Sequence, residues 1–305
     1  MRAPIRGENL VVVRGADLEL AALHAVCTHR GTLLCDGEAG HVDELAFRCP
    51  YHGFTYATDG ALLEAPGARG EVAGLPRAQV VTHAGVVFVN LDPGAPPLEV
   101  PPWLRRAALW TLTRVSRSDN EVRANWKVLI GNFQESHHFP TVHPSLEGKT
   151  PWAASSSIIE CDAWLGGAME LRDGYQTVSE SGQRRGRPFV AAEEDRGRVL
   201  DAWVAPLWLT SLQPDYLLTY RLSPLAADRT LVVAEIHVHS GASGDDLDDV
   251  LTFWERTNAE DRAICELQQR GLASRSAGAS CYTGSEDGLH AFERIVAKSY
   301  LEALA

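Results

Sequence analysis

The sequence predicts an α+β chain in two parts: an all-β module over residues 1–102, then a larger domain over residues 103–305 in which an antiparallel meander is followed by a long C-terminal helix. Three observations predict it. Short β-type runs broken by Gly and Asp turns fill the first part. A proline-rich stretch, Pro93-Gly94-Ala95-Pro96-Pro97 with Pro101-Pro102 just after, marks a boundary. Beyond it, helix-period segments flank a series of β-type runs.

In the first part, residues 10–27 and 42–56 read as strands, with Val11-Val12-Val13 and Leu45-Ala46-Phe47 interrupted by Asp36-Gly37, Gly40 and Asp59-Gly60. Val80-Val81 and Val86 to Val89 read as a closing hairpin around Ala84-Gly85. Two loops each offer one thiolate and one imidazole, Cys27-Thr-His29 and Cys49-Pro-Tyr-His52. At such tight spacing, both side chains of a loop reach one point only if the backbone turns sharply, which Gly31, Pro50 and Gly53 permit. Thiolates suit an iron that stays ferric and neutral imidazoles suit one that is reduced. Replacing two thiolates by imidazoles removes negative charge and raises the reduction potential. By ligand type alone, a Cys₂His₂ zinc site is the alternative.

In the second part, Asn125 to Ser136 has helical composition, with Trp126, Leu129, Ile130 and Phe133 at helical spacing. Continuing that helix puts Glu135 and His138 on one face. His143 would point about 140° away on an ideal helix, so Pro140 and Pro144 are expected to bend or end the helix there. Such a bend would let two imidazoles and a carboxylate hold a ferrous ion by one face. Val199 to Leu212, Tyr216 to Leu222 and Leu231 to His239 read as an antiparallel meander with turns at Pro214-Asp215 and Ala227-Asp228. Gly182 to Gly186 reads as a flexible loop tip. Residues 245–271 read as one long helix with an apolar stripe of Leu247, Val250, Leu251, Trp254 and Cys265. Asp261 falls on that stripe. A core-facing carboxylate is costly unless it is paired or metal-bound, so Asp261 is the candidate third ligand; an ion pair with Arg262 or Arg294 is the alternative. Glu260 is expected to point off the stripe, and His237 and His239 to face outward. Trp203, Trp208, Leu207, Leu209, Trp152 and Phe139 are candidate cavity residues.

Composition excludes several classes. Net charge is −12 with a pI near 5.4, and the only basic cluster is Arg184, Arg185 and Arg187, which argues against nucleic acid and anionic membrane as partners. No apolar run approaches the roughly 20 residues of a membrane span, and the N-terminal MRAPIRGENLVVV lacks a signal-peptide core. Six cysteines in 305 residues, two of them in a metal pattern, suit a reducing, cytoplasmic compartment.

CTHRG and CPYHG resemble the two loops of a Rieske [2Fe–2S] domain. NWKVLIGNFQESHHFPTVH resembles the iron-binding segment of Rieske non-heme iron oxygenase alpha subunits, Asp/Glu-x-x-His-x-x-x-x-His, and FWERTNAEDRAICELQQRGLASR resembles their C-terminal segment. The resemblance covers nearly the whole chain. It implies Cys27 and Cys49 on one iron of the cluster and His29 and His52 on the other. Thr32 and Tyr51 stand where respiratory relatives carry disulfide cysteines. It further implies His138, His143 and Asp261 on a mononuclear Fe(II), with Glu135 passing electrons from a neighbouring subunit's cluster. Glu rather than Asp at position 135 is closest to the glycine betaine and carnitine monooxygenase branch. His137 is expected in the core or beside the ligands. The implied catalytic fold is helix-grip (START/Bet v 1-like). The implied activity is hydroxylation or oxidative demethylation of a small organic substrate with O₂, fed by a flavin and iron–sulfur reductase or a ferredoxin, in a homo-oligomer, most often a trimer. The alternative is a Rieske electron carrier without oxygenase activity.

Overall fold

A computed structural model describes residues 1–5, 7–83, 85–242, 247–278 and 281–304. Ala84 of the expected hairpin turn and Asp245 and Asp246 of the expected helix start lie outside the described residues. The chain divides into two compact units, Met1–Leu98 and Glu99–Ala305, four residues ahead of the sequence-based boundary.

The first unit is all β: β1 (Arg2–Ile5), β2 (Glu8–Arg14), β3 (Leu20–His24), β4 (Ala46–Arg48), β5 (Thr55–Ala57), β6 (Leu62–Glu64), β7 (Arg77–His83) and β8 (Val86–Asn90). They form a five-stranded sheet in the order β1-β2-β3-β7-β8 and a three-stranded sheet β4-β5-β6. The run expected over residues 10–27 is a hairpin of β2 and β3, turned at residues 15–19. Val11 to Val13 is apolar without alternation because both faces of β2 are covered. Leu10 and Val12 pack with Ala22 and Ala78, while Val11 and Val13 pack with Leu23, Phe47 and Tyr56.

The second unit holds α1 (Pro102–Arg106), β9 (Leu112–Val122), α2 (Trp126–Phe133), α3 (Phe139–Val142), α4 (Pro144–Glu147), β10 (Ser155–Cys161), β11 (Trp164–Glu170), β12 (Arg198–Val204), β13 (Trp208–Leu212), β14 (Tyr216–Ala226), β15 (Arg229–His239), α5 (Asp248–Leu272) and α6 (Asp287–Leu304). Its seven strands form one curved antiparallel sheet in the order β10-β11-β12-β13-β14-β15-β9. The run expected from Val199 to Leu212 is two strands, with Ala205 to Leu207 as the turn. The alternating side chains of β11 to β15 divide the sheet into an inner and an outer face.

Helices cover the inner face in two places. Val250, Phe253 and Trp254 of α5 pack with Met169, Val199, Tyr216, Leu218, Ile236 and Val238. Ile130 of α2 and Phe292 of α6 pack with Leu165, Trp203, Leu209 and Leu222. The sequence reading did not include α6, although Leu289, Phe292, Ile295 and Val296 recur at helical spacing. The Gly182 to Gly186 segment is not a free tip. Arg187 beside it is buried, and its Nε donates to Asp215 at 2.7 Å, which fastens the long connection between β11 and β12 to the start of β14.

Candidate active site

In the first unit, Cys27 and His29 lie in the loop after β3, and Cys49 and His52 lie between β4 and β5. The two loops close the same way. Gly31 N–H donates to the Cys27 carbonyl at 2.9 Å and Gly53 N–H to the Cys49 carbonyl at 3.1 Å. Both glycines have positive φ, 74° and 73°, which a side chain would strain. The turns bring the rings of His29 and His52 to 4.7 Å between centroids, and Phe54 stacks on His29 at 4.6 Å. Both sulfurs are buried: Cys27 is 2% exposed and Cys49 3%.

Burial alone would raise the Cys27 thiol. The Tyr56 hydroxyl at 3.3 Å, the His29 N–H, Cys49 and the Arg30 N–H outweigh it and hold the thiol below its ordinary value. Tyr56 also accepts from Thr28 N–H at 3.1 Å, so the loop and the donor to its sulfur are one assembly. Donors aimed at a buried sulfur suit a thiolate ligand, and two buried sulfurs with two adjacent imidazoles fit a two-iron cluster.

In the second unit, α2 starts at Asn125, whose side chain accepts from Lys127 N–H at 3.0 Å. It ends at Phe133, earlier than the sequence reading placed it, so Glu135 and His138 do not share a helical face. The Glu135 carboxylate accepts from His138 N–H at 3.2 Å and from His138 Nδ1 at 2.6 Å, so it holds both the backbone and the ring of the residue that precedes the next helix. The helix is broken twice: ahead of His138, and again at His143, whose φ of −123° and ψ of 64° part α3 from α4 just before Pro144, where the sequence placed a break. Pro140 and Pro144 stand in the first turns of α3 and α4, where a missing N–H costs nothing.

His143, 1% exposed, donates from Nδ1 to Glu260 at 2.7 Å. Glu260 thus turns toward the histidines, contrary to the sequence reading. Adjacent residues on α5 lie about 100° apart, close enough for their carboxylates to reach the two sides of one ring. With both Nδ1 atoms taken by carboxylates, both Nε2 atoms face Asp261: His143 Nε2 is 2.8 Å from Asp261 Oδ1 and His138 Nε2 is 3.7 Å from it. Among the described residues, His138, His143 and Asp261 form the one compact group of three metal-ligating side chains, with ligand atoms within 4.8 Å of one another. Neither Arg262 nor Arg294 takes Asp261. Arg262 donates to Asn120 at 2.9 Å, and Asp261 instead accepts from Asn132 at 2.8 Å. Cys265, whose thiol burial pushes far upward, donates to Asn132 in turn.

This donor set fits one divalent ion. Two imidazoles have Nε2 left to offer a metal, three carboxylates supply compensating charge, and each ring is fixed through its other nitrogen. Desolvation lowers the His143 pKa, yet Asp261 and Glu260 outweigh it and hold the ring above its ordinary value.

The group stands in the wall of a cavity of about 170 Å³ between the inner sheet face and α2 and α5, small beside ordinary ligand pockets of roughly 300–1,000 Å³. Of the candidate cavity residues, Leu209 and Phe139 line it. Trp203 and Leu207 pack with α6 and Trp152 packs at the edge of the α5 core; Trp208 is also outside the lining. Besides Phe139, the aromatic lining comes from Phe133, Tyr220 and Trp254. His137 is exposed rather than in the core, its ring against Trp152 at 4.9 Å. His237 and His239 lie on the outer face, as their alternation implied. Sequence reasoning passed over Asp201 of β12. It lines the cavity, and burial pushes its carboxyl up to about 7 against a hydrogen bond from Ser211.

A family model described as the Rieske [2Fe–2S] domain matches residues 2–81, and one described as the ring hydroxylating alpha subunit (catalytic domain) matches residues 109–302. The chain is 28% identical to the glycine betaine monooxygenase oxygenase subunit of Pseudomonas aeruginosa, over 88% of this chain and 72% of that protein. It is 27% identical to the carnitine monooxygenase oxygenase subunit of Acinetobacter pittii, over 96% of this chain and 82% of that one. Among solved structures, the quaternary ammonium Rieske monooxygenase CntA in complex with L-carnitine superposes with a TM-score of 0.75 at 25% identity, covering 98% of this chain and 83% of that one.

Proposed function

Because the chain belongs to the ring-hydroxylating alpha subunit family, with a Rieske [2Fe–2S] domain ahead of its catalytic domain, we propose that it oxidises a small methylated ammonium compound at an N-methyl carbon. The oxygenase reading takes precedence over the electron carrier, since a carrier needs no open iron site. The observation that supports it best is the convergence of His138 Nε2, His143 Nε2 and Asp261 Oδ1 on the wall of a partly aromatic cavity. The likeness to betaine and carnitine monooxygenases over most of the chain supports the substrate class.

Cys27, Cys49, His29 and His52 would hold the cluster, and His138, His143 and Asp261 the mononuclear iron. Together these cofactors supply electrons and activated dioxygen. The protein's own groups do the rest. Glu135 and Glu260 hold both histidines as Nδ1–H tautomers, so that each Nε2 lone pair faces inward. Asn132 keeps the Asp261 carboxylate on the same side. Glu135, touching His138, is the group through which an electron would arrive from a neighbouring subunit's cluster. The curved sheet and α5 read as a helix-grip, and the Rieske and catalytic domains as residues 1–102 and 103–305. The assembly reads as a head-to-tail homotrimer in the cytoplasm, fed by a flavin and iron–sulfur reductase or a ferredoxin. Among the described residues no helix is long and apolar enough to cross a membrane.

The overall reaction takes R₃N⁺–CH₃, O₂, two electrons and two protons to R₃N⁺–CH₂OH and water. The hydroxymethyl product then releases formaldehyde and leaves R₃N⁺–H. The test is reductase-coupled oxygen consumption with glycine betaine, carnitine, choline and a set of aromatic compounds. Amine-dependent oxygen uptake matched by formaldehyde is the expected result. Uptake stimulated only by the aromatic compounds, with hydroxylated rings as product, would replace this substrate class.

A further inference from the structure

Three acidic side chains line the cavity: Glu135, Asp201 and Asp261. Glu135 and Asp261 are engaged with the histidines. Asp201 is not. It projects from the middle of the inner sheet face, and its cross-strand neighbours are Gly167 on β11 and Ser211 on β13. Gly167 has no side chain to fill the space beside the carboxylate. Ser211 supplies one hydroxyl, and among the described residues Asp201 Oδ1 has no hydrogen-bond partner. The nearby Tyr220 hydroxyl is committed to Asn258 on α5 at 2.6 Å. A desolvated, half-satisfied carboxyl is unfavourable to the fold, so its presence in a cavity calls for a ligand that offsets it.

We infer that Asp201 is the counter-charge for the substrate's cationic nitrogen, the residue that makes the cavity select a methylated ammonium over an uncharged molecule of the same shape. This rests on the ammonium reading above. A methylated ammonium spreads its charge over the hydrogens of its N-methyl groups, so a carboxylate oxygen meets it without needing an N–H donor. The ring faces of Tyr220 and Trp254 in the same lining favour the same cation. Tyr220 lies near enough to both Asp261 and Asp201 to feel the charge of each. A cation held by Asp201 would share the cavity with the Tyr220 ring and with the histidines in its wall.

The test compares the iron-loaded wild-type chain with Asp201→Asn and Asp201→Glu. Binding of choline and glycine betaine is measured by calorimetry beside their carbon isosteres, 3,3-dimethylbutan-1-ol and 3,3-dimethylbutanoate. Iron content and the visible spectrum serve as checks on folding. The wild type should prefer each cation over its isostere by roughly 30- to 5,000-fold, the range seen when one member of a buried charge pair is lost. Asp201→Asn should reduce that preference to near unity, and Asp201→Glu should restore part of it. In turnover, the Asn variant should raise KM more than it lowers kcat. A wild type that prefers the cations, with an Asn variant that keeps the preference, overturns this inference alone. A wild type that prefers neither cation overturns the ammonium reading and this inference together.

Discussion

Glu260 and Asp261 are neighbours in sequence with different tasks: one orients His143 through Nδ1 and the other meets Nε2. Removing the orienting carboxylate should loosen metal binding without removing a ligand. Glu260→Ala is expected to weaken iron retention roughly 10- to 100-fold, the usual cost of losing such a support. Iron retained after dialysis against a graded chelator measures this, and wild-type retention would refute the role.

Asp201 gives a second expectation at this scale. Its carboxyl is pushed up to about 7 from 3.8 by burial. Below the lower value it is protonated in folded and unfolded chains alike and has no effect. Between the two values the unfolded chain gives up a proton that the folded chain keeps, so stability falls as pH rises, and the full penalty stands above the upper value. Tyr220, raised well above its usual range, stays protonated throughout, while Asp261 adds negative charge nearby. Asp201→Asn should therefore stabilise the fold at pH 8 by ~1–3 kcal/mol, allowing for water in the cavity, and by little at pH 4. Denaturation midpoints at the two pH values decide it; equal shifts would contradict the assignment.

Among the elements, α6 shows how far a covering helix matters to a site it does not touch. Phe292, 1% exposed, fills the sheet face between Trp203 and Trp126. Phe292→Ala should cost about 3–5 kcal/mol by cavity formation. On β11 the constraint runs the other way. A Cβ on Gly166 would lie 2.5 Å from the Trp103 ring, so Gly166→Ala should cost about 1–3 kcal/mol through overpacking. Urea midpoints measure both, and a neutral Gly166→Ala would mean that Trp103 can shift. The α2-to-α3 junction was misjudged from sequence for a reason at this scale. Helical periodicity runs on past Phe133, but α2 stops there and the His138 N–H goes to a side chain, Glu135.

For the whole molecule, two metal sites in one chain set the iron inventory. The oxygenase should carry about three irons per chain, and Asp261→Ala about two, with the cluster's visible spectrum intact. An Asp261→Ala chain that keeps all three would remove Asp261 from the ligand set. Much of this layout is legible in the sequence. The Cys-x-His and Cys-x-x-His loops, the paired histidines after α2 and an acid on an apolar helical stripe are local patterns. Their residue types and spacings are dictated by metal chemistry, and so they survive in the text of the chain.

What the sequence by itself determined is the set of groups able to bind metal and the period of the elements that carry them. What only the tertiary structure decided is which groups share a space: Glu260 on His143, Asn132 on Asp261, and Asp201 in the cavity with its Oδ1 unpartnered among the described residues. Those partners come from α5, α2 and β12, 117 and 129 residues apart in the two bonded cases. The physical reason is that helical and strand periods report which way a side chain faces within its own element, whereas desolvation and hydrogen bonding depend on what the other elements bring against it.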